Sequence, residues 1–330
     1  MIFRIKRTVL ILCLCPLALV WASQPKYVGL TEVWAYLMDG EERFYTPDLP
    51  VTDIGYFGAG IGRYGNLVGV PDRDKLANSP AKIHLVVAEV SGNYGLSHFI
   101  LNPDYGVRDR FIEEILYAMN DFDGLQIDFE SVTSRDSENF LNFLEILKDG
   151  IGNKTLSVAV PARTKRLKND AYDYKELSRI ADRIIIMAYD EHWSGSRPGP
   201  VASFPWSKSV ALYALRYISS SKLIMGLPFY GRAWADKSTS RALKYSTLQD
   251  LIAEKEIPPE AFKESQGVGH FDYQETVNIS VYFDNAITTL NRLSLYQSLG
   301  VKNAAFWRLG QEDDRVWEYI LLENKDNPRE

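Results

Sequence analysis

The stretch DFDGLQIDFE, residues 121 to 130, sets Asp128 and Glu130 two positions apart, with Gln126 before them and Leu125, Ile127 and Phe129 in between. Two carboxylates this close suit acid/base work. Their mutual repulsion, with partial burial, raises one pKa and holds that group protonated as an acid. Cleavage of a glycosidic bond needs that division of labour. Neighbours on one strand would approach a sugar from the same side, however, so the two cannot form a conventional retaining pair. Some other group must attack the anomeric carbon.

If the stretch is a strand, Gln126, Asp128 and Glu130 share one face, and Leu125, Ile127 and Phe129 share the other. An isolated pattern of this kind also describes an amphipathic strand with its polar face in water. The rest of the chain argues against that. Apolar runs recur as VWAYLM (33 to 38), DIGYFGAGI (53 to 61), KIHLVVAEV (82 to 90), LQIDFE (125 to 130), LSVAVPA (156 to 162), RIIIMAY (183 to 189), KLIMGLPFY (222 to 230) and NAAFWRLG (303 to 310). Between them RDRFIEEILYAMND (108 to 121), SENFLNFLEILKDG (137 to 150) and AITTLNRLSLYQSLG (286 to 300) carry helical spacing.

Eight strands alternating with helices predict an α/β fold, a (β/α)8 TIM barrel. GAGIGRYGN (58 to 66) has no helical pattern after it, which excludes a dinucleotide-binding doubly wound sheet. In a closed parallel barrel no strand face is left to water. The apolar set then packs outward on helices, and the polar set rises inside the barrel to Glu130 at the C-terminal mouth. About 50 residues separate the seventh strand from the last helix, including TLQDLIAEKE (247 to 256), GHFDYQE (269 to 275) and VNISVYFDN (277 to 285). They predict a small α+β insertion over about 235 to 285, on the face where βα-loops build sites.

The chain has 330 residues, 46% hydrophobic and 24% charged, enough for a sizeable core. Arg4, Lys6 and Arg7 precede an apolar run from Thr8 to Trp21, and Val20 and Ala22 suit a signal peptidase, so residues 1–22 are expected to be a cleaved secretory signal. The alternative is an uncleaved anchor, for which the run is short. Both cysteines, Cys13 and Cys15, lie in this segment, leaving the mature chain no disulfide or thiolate site. Loss of three positive charges takes the formal charge from -6 to -9, which argues against nucleic acid or anionic lipid as a partner. No other stretch is apolar enough to span a membrane.

At Asp123-Gly124-Leu125-Gln126-Ile127-Asp128-Phe129-Glu130 the sequence resembles the DGxDxDxE strand of glycoside hydrolase family 18, the chitinase family. IMAYD (186 to 190) resembles that family's MxYD, GLPFYGRAW (226 to 234) its GxPxYGR, and AAFWRLG (304 to 310) its last-strand motif; VYFDN (281 to 285) is also similar. The form FDGLQIDFE and the compact insertion look most like bacterial spore-cortex hydrolases, without the LysM repeats those usually carry. One catalytic barrel over 23–330 is therefore expected, secreted or periplasmic and monomeric.

The resemblance implies a retaining, substrate-assisted mechanism, in which the substrate's own acetamido oxygen attacks and an oxazolinium ion forms. By position, Glu130 would be the proton donor and later the base. Asp128 would orient the acetamide, and Tyr189 would donate to its carbonyl. Asp190 and Arg232 would bind sugar hydroxyls, Met187 and Tyr230 would line the cleaved subsite, and Trp307 would form its floor. The implied partner is an N-acetylglucosamine-containing glycan, peptidoglycan or chitin-like. No metal or organic cofactor is implied.

Two departures stand out. Gln126 replaces the family's middle aspartate; its amide is expected to hydrogen-bond Asp128 without sharing a proton, which would alter the pH profile. The family's SxGG is not matched by VAEVSGNYG (87 to 95), so no site residue is assigned there. The alternative reading is a non-catalytic sugar-binding protein on the same fold. Lectins of this family typically lose the glutamate, and Glu130 is present. A barrel enzyme with a metal or phosphate substrate fits less well, because only four histidines occur and no ligand-spaced cluster appears.

Overall fold

The structure is a computed structural model that describes residues 25–235, 239–274 and 277–323. The expected signal segment, 1–22, lies outside the described residues. All eight expected strands form: β1 Glu32–Met38, β2 Asp53–Ile61, β3 Lys82–Glu89, β4 Gly124–Phe129, β5 Thr155–Pro161, β6 Arg183–Met187, β7 Leu223–Pro228 and β8 Asn303–Trp307. Each pairs in parallel with the next, and β1 pairs with both β2 and β8. The sheet is closed, as a TIM barrel requires.

Seven α-helices are described: α1 Tyr94–Leu101, α2 Val107–Ala118, α3 Ser137–Gly150, α4 Tyr174–Ile180, α5 Phe204–Ala214, α6 Tyr245–Glu254 and α7 Ala286–Ser298. Strict alternation fails at the start of the barrel. After β1 and β2 the described chain forms no α-helix, only the short 3-10 turns Glu42–Phe44 and Arg73–Leu76 and the two-residue strand Leu67–Val68, which folds back antiparallel on β2. The cause is in the sequence: Pro47 and Pro50 interrupt the first connection, and Gly65, Gly69, Pro71 and Pro80 the second.

The period-two pattern of β4 sorts its residues as expected. Leu125, Ile127 and Phe129 join the main core between sheet and helices. Phe129 stacks on Phe140 and Phe143 of α3 at 6.3 and 5.7 Å, because α3 turns Phe140, Phe143, Leu144 and Leu147 to one face. Gln126 and Asp128 point the other way and are buried inside the barrel. There Trp34, Tyr36, Val86, Ile185, Ile224 and Ala305 form a separate inner cluster, with Phe57 and Trp307 above it.

After β7 the chain leaves the barrel. Tyr230–Trp234, Ser240–Lys244, Lys263–Ser265, Val268–Gln274 and Asn278–Phe283 make an antiparallel sheet that, with α6, encloses its own small core around Leu248, Phe271 and Val281. This is an α+β insertion, as expected, but its first strand begins at Tyr230, within what reads in sequence as the end of the seventh barrel strand. No helix among the described residues is long and apolar enough to cross a membrane.

Candidate active site

β4 delivers its acids to the C-terminal mouth. Asp128 is 4% exposed, and Glu130, one residue past the strand's end, is open to solvent. Burial, and then the charge of Glu130, push the Asp128 carboxyl up to about 7. Its Oδ1 is buried and accepts no hydrogen bond from the protein. The Glu130 carboxyl, reachable by solvent but partly desolvated by the mouth around it, is also raised, by that desolvation first and then by the charges of Asp190 and Glu89. Burial and like charges both disfavour the ionised form, so each acid binds its proton more tightly than a free carboxyl does.

Tyr189 stands above the end of β6. Met187 closes that strand on the same face as the inward Ile185, and a tight turn follows in which the Ala188 N–H donates to the Ile186 carbonyl at 2.8 Å. Gly226 on β7 leaves room for the tyrosine ring: a Cβ there would lie 3.2 Å from Tyr189 Cε1 and 2.7 Å from the Ile186 oxygen. Burial, then Tyr36, Asp128, Tyr230 and Glu130, raise the Tyr189 phenol well above its usual value. It is therefore a protonated donor, within electrostatic reach of both acids.

Asp190 follows with φ +56°, a left-handed conformation that aspartate tolerates better than most residues. It turns the carboxylate toward the insertion, where Tyr230 Oη donates to its Oδ1 at 2.7 Å and Arg232 Nη2 lies 3.5 Å away. Tyr230 and Arg232 both come from the strand that peels off after β7. The Tyr189 and Tyr230 rings meet at 6.4 Å. Met187, Tyr189, Asp190, Tyr230 and Arg232 are thus one wall, with Asp190 and Tyr230 bonded to each other.

Trp307 ends β8 and packs on Tyr36 and Phe57 at 5.1 and 5.2 Å between ring centres, half-buried over the inner cluster. Gln126 does not do what its position predicts. Its amide nitrogen donates to the Tyr36 hydroxyl instead of to Asp128, and its own oxygen is left without a partner. Tyr36 projects from β1 into the barrel and captures the amide first. Asp123 is not at the mouth at all. It precedes β4, where its Oδ2 accepts the Ile83 N–H at 2.8 Å and ties β4 to β3 at the N-terminal end, about 20 Å of strand from Glu130.

Three residues near the site escaped the sequence reading. Tyr36 braces Gln126 and Trp307; its inward position was readable from the alternation of VWAYLM. Glu89 ends β3 beside Glu130, whose N–H donates to the Glu89 carbonyl at 2.9 Å; an acid in last place on a barrel strand was the available signal. Tyr172 donates to the Phe129 carbonyl at 2.7 Å, and no local pattern announces it.

A model of glycosyl hydrolases family 18 matches residues 72–312. The chain belongs to this family. Curated relatives of this family 18 chain include an uncharacterized glycosylase, YvbX, of Bacillus subtilis, 31% identical over 225 residues, 64% of this chain and 65% of the relative. A cortical fragment-lytic enzyme of Bacillus anthracis is 27% identical over 298 residues, 83% of this chain and 68% of that one. The chain thus spans about two thirds of the length of these relatives. The crystal structure of the Bacillus cereus spore cortex-lytic enzyme SleL shares the fold, with a TM-score of 0.76 at 24% identity over 90% of this chain and 74% of that one.

Proposed function

We propose that this family 18 glycosidase is secreted and cleaves β-1,4 bonds next to N-acetylglucosamine in peptidoglycan or chitin-like glycans, with retention of configuration. The observation that carries the mechanism is the pair at the mouth: a buried Asp128 with an unpartnered Oδ1 beside a solvent-open Glu130, both with raised pKa. Coupled carboxyls of this kind share protons, so near neutrality one can be an acid while the other is a carboxylate.

In the first step the Glu130 carboxylic proton passes to the glycosidic oxygen as the bond to the anomeric carbon breaks. The acetamido carbonyl oxygen of the same sugar closes on that carbon. Asp128 Oδ1 accepts the acetamide N–H and stabilises the positive charge that spreads over the new ring. The Tyr189 phenol, held protonated, donates to the acetamido oxygen and orients it. In the second step water attacks the anomeric carbon, Glu130 takes its proton, and the oxazolinium opens back to the acetamide. Asp190 and Arg232 hold sugar hydroxyls, Met187 and Tyr230 line the cleaved subsite, and Trp307 stacks beneath the sugar.

The bacterial relatives, named for lysis of the spore cortex, support a cell-wall glycan as substrate and action outside the cytoplasm. Wild type and Glu130→Gln, assayed on chitooligosaccharides and on purified peptidoglycan, test the reading. Cleavage falls by about 10²–10⁴-fold in the variant while glycan binding persists. Cleavage at the wild-type rate in Glu130→Gln shows the acid to be elsewhere, and binding without cleavage in both proteins shows a lectin.

A further inference from the structure

We propose that Tyr172 is a positioning residue for Glu130: its phenol clips the backbone on both sides of that glutamate, and an Arg163–Asp170 clasp holds the phenol in place. The inference rests on Glu130 being the proton donor.

The end of β4 is supported unequally. On the β3 side the ladder runs to Phe129, which pairs with Glu89, and the Glu130 N–H donates to the Glu89 carbonyl. On the β5 side it stops at Ile127, paired with Val158. Asp128, Phe129 and Glu130 project beyond it, and an unpaired strand end frays unless other groups bond its backbone. Tyr172 does so. Its hydroxyl donates to the Phe129 carbonyl at 2.7 Å and accepts from the Val132 N–H at 3.1 Å, spanning Glu130 like the missing ladder bonds. The ring is buried, with Phe140 of α3 edge-on at 6.1 Å. Burial also pushes the phenol's pKa upward, so the donor is present throughout the working pH range.

Tyr172 sits on the connection from β5 to α4, which has to be held itself. Asp170 Oδ1 accepts the Tyr172 N–H at 3.2 Å, and the same carboxylate takes two bonds from Arg163, from Nε at 2.7 Å and Nη2 at 3.1 Å. Arg163 Nη1 closes the loop on the Ala162 carbonyl at 3.1 Å. The outer side of this connection borders a cavity of about 430 Å³ lined by Arg163, Asp170, Tyr172, Tyr174 and Tyr213. Core packing therefore holds the loop from its inner side, through Ala171, Tyr172 and Tyr174. On the outer side it is held by the clasp and by the Tyr174 hydroxyl, which donates to the Pro161 carbonyl at 2.6 Å.

Tyr172→Phe keeps the ring and removes the clip. On whichever of chitooligosaccharide or peptidoglycan the wild type cleaves, kcat is expected to fall about tenfold or more, with KM within about twofold, because misplacing a reacting group lowers the transition-state population rather than binding. A para-nitrophenyl β-glycoside of chitobiose separates positioning from general damage. Its leaving group departs without a proton, so kcat/KM for it falls less than for the unactivated glycan. Asp170→Asn weakens the clasp while leaving the buried phenol intact, should give the same pattern more weakly, and decides the matter if Tyr172→Phe does not fold. Wild-type kcat in the folded variant, or equal losses on both substrates, overturns the proposal. If Glu130→Gln still cleaves, the assignment of the acid has failed instead.

Discussion

At the N-terminal end of the barrel the buried and half-buried charged groups pair with one another, and at the C-terminal end Asp128 and Glu130 are left without a charged partner of opposite sign. Below, Asp53 meets His84 at 2.8 Å and also accepts from Thr52 at 2.7 Å. Glu32 grips Arg183 with two bonds to Nε at 3.0 Å and a further contact to Nη2, and the Trp34 indole donates to it as well. Above, Asp128 and Glu130 stand among Asp190, Glu89 and two tyrosines, and their pKa values rise. One interior thus contains both solutions to buried charge. Pairing at the lower end contributes stability, while withheld pairing at the upper end stores free energy in groups that can exchange a proton.

The contrast is tested most strongly at Asp128. Asp128→Asn removes the negative charge that stabilises the developing cation, so kcat should fall by about 10²–10³-fold. The same change should stabilise the fold, and the sign follows from linkage. A carboxyl raised to about 7 in the folded state binds its proton more tightly there than in the unfolded chain, where it titrates near its ordinary value. Wild-type stability therefore falls as pH rises through that window, and the asparagine protein escapes the loss. Its advantage should be absent near pH 4, grow toward pH 7 and level off above it at up to about 4 kcal/mol, read from denaturant midpoints at several pH values. A variant that is inactive and whose advantage over wild type is no larger at pH 8 than at pH 4 breaks the comparison.

The lower end should respond in the opposite sense. Asp53→Ala leaves His84 buried with neither ring nitrogen bonded, since its Nδ1 already lacks a partner, and deprives Thr52 of an acceptor. The expected loss is about 3 kcal/mol of stability, with kcat per folded molecule within about twofold of wild type. Urea unfolding and active-site titration read the two quantities separately. A large fall in kcat without unfolding would show that the two ends are coupled through the barrel.

How much of this was legible depended on sequence distance. The eight strands and the face of β4 could be read because apolar runs and period-two alternation are local. The site wall was readable through its motifs, since Met187, Tyr189 and Asp190 lie together and Tyr230 and Arg232 share one strand. Gln126 was misread because its partner, Tyr36, is 90 residues away on β1, and residue type alone cannot tell which of two acceptors an amide will reach first. Tyr172 was missed for the same reason: its partners are 43 and 40 residues distant. Asp123 shared a motif with Glu130 yet serves the opposite end of the strand, because six residues of β-structure separate them.

The smallest expected effect concerns the acid that is shared between the two solutions. Glu89 is buried at the end of β3, and its Oε1 accepts from the Ser91 N–H at 3.1 Å and its Oε2 from the Ser97 hydroxyl at 3.1 Å. It is satisfied by hydrogen bonds, as the lower charges are by ion pairs, yet its negative charge still reaches Glu130 and helps to raise that carboxyl. Glu89→Gln keeps the size and an acceptor while removing the charge, so the Glu130 pKa should fall. Because Glu130 must be protonated for the first step, activity is lost as pH rises through its pKa, and the alkaline limb of kcat/KM should move to lower pH. The displacement is expected to be small, since the charge acts after burial and Asp190 in order of effect. An acidic limb that moves while the alkaline limb stays would place the influence of Glu89 on Asp128, and would show that the pair at the mouth is tuned from β3 through its buried member.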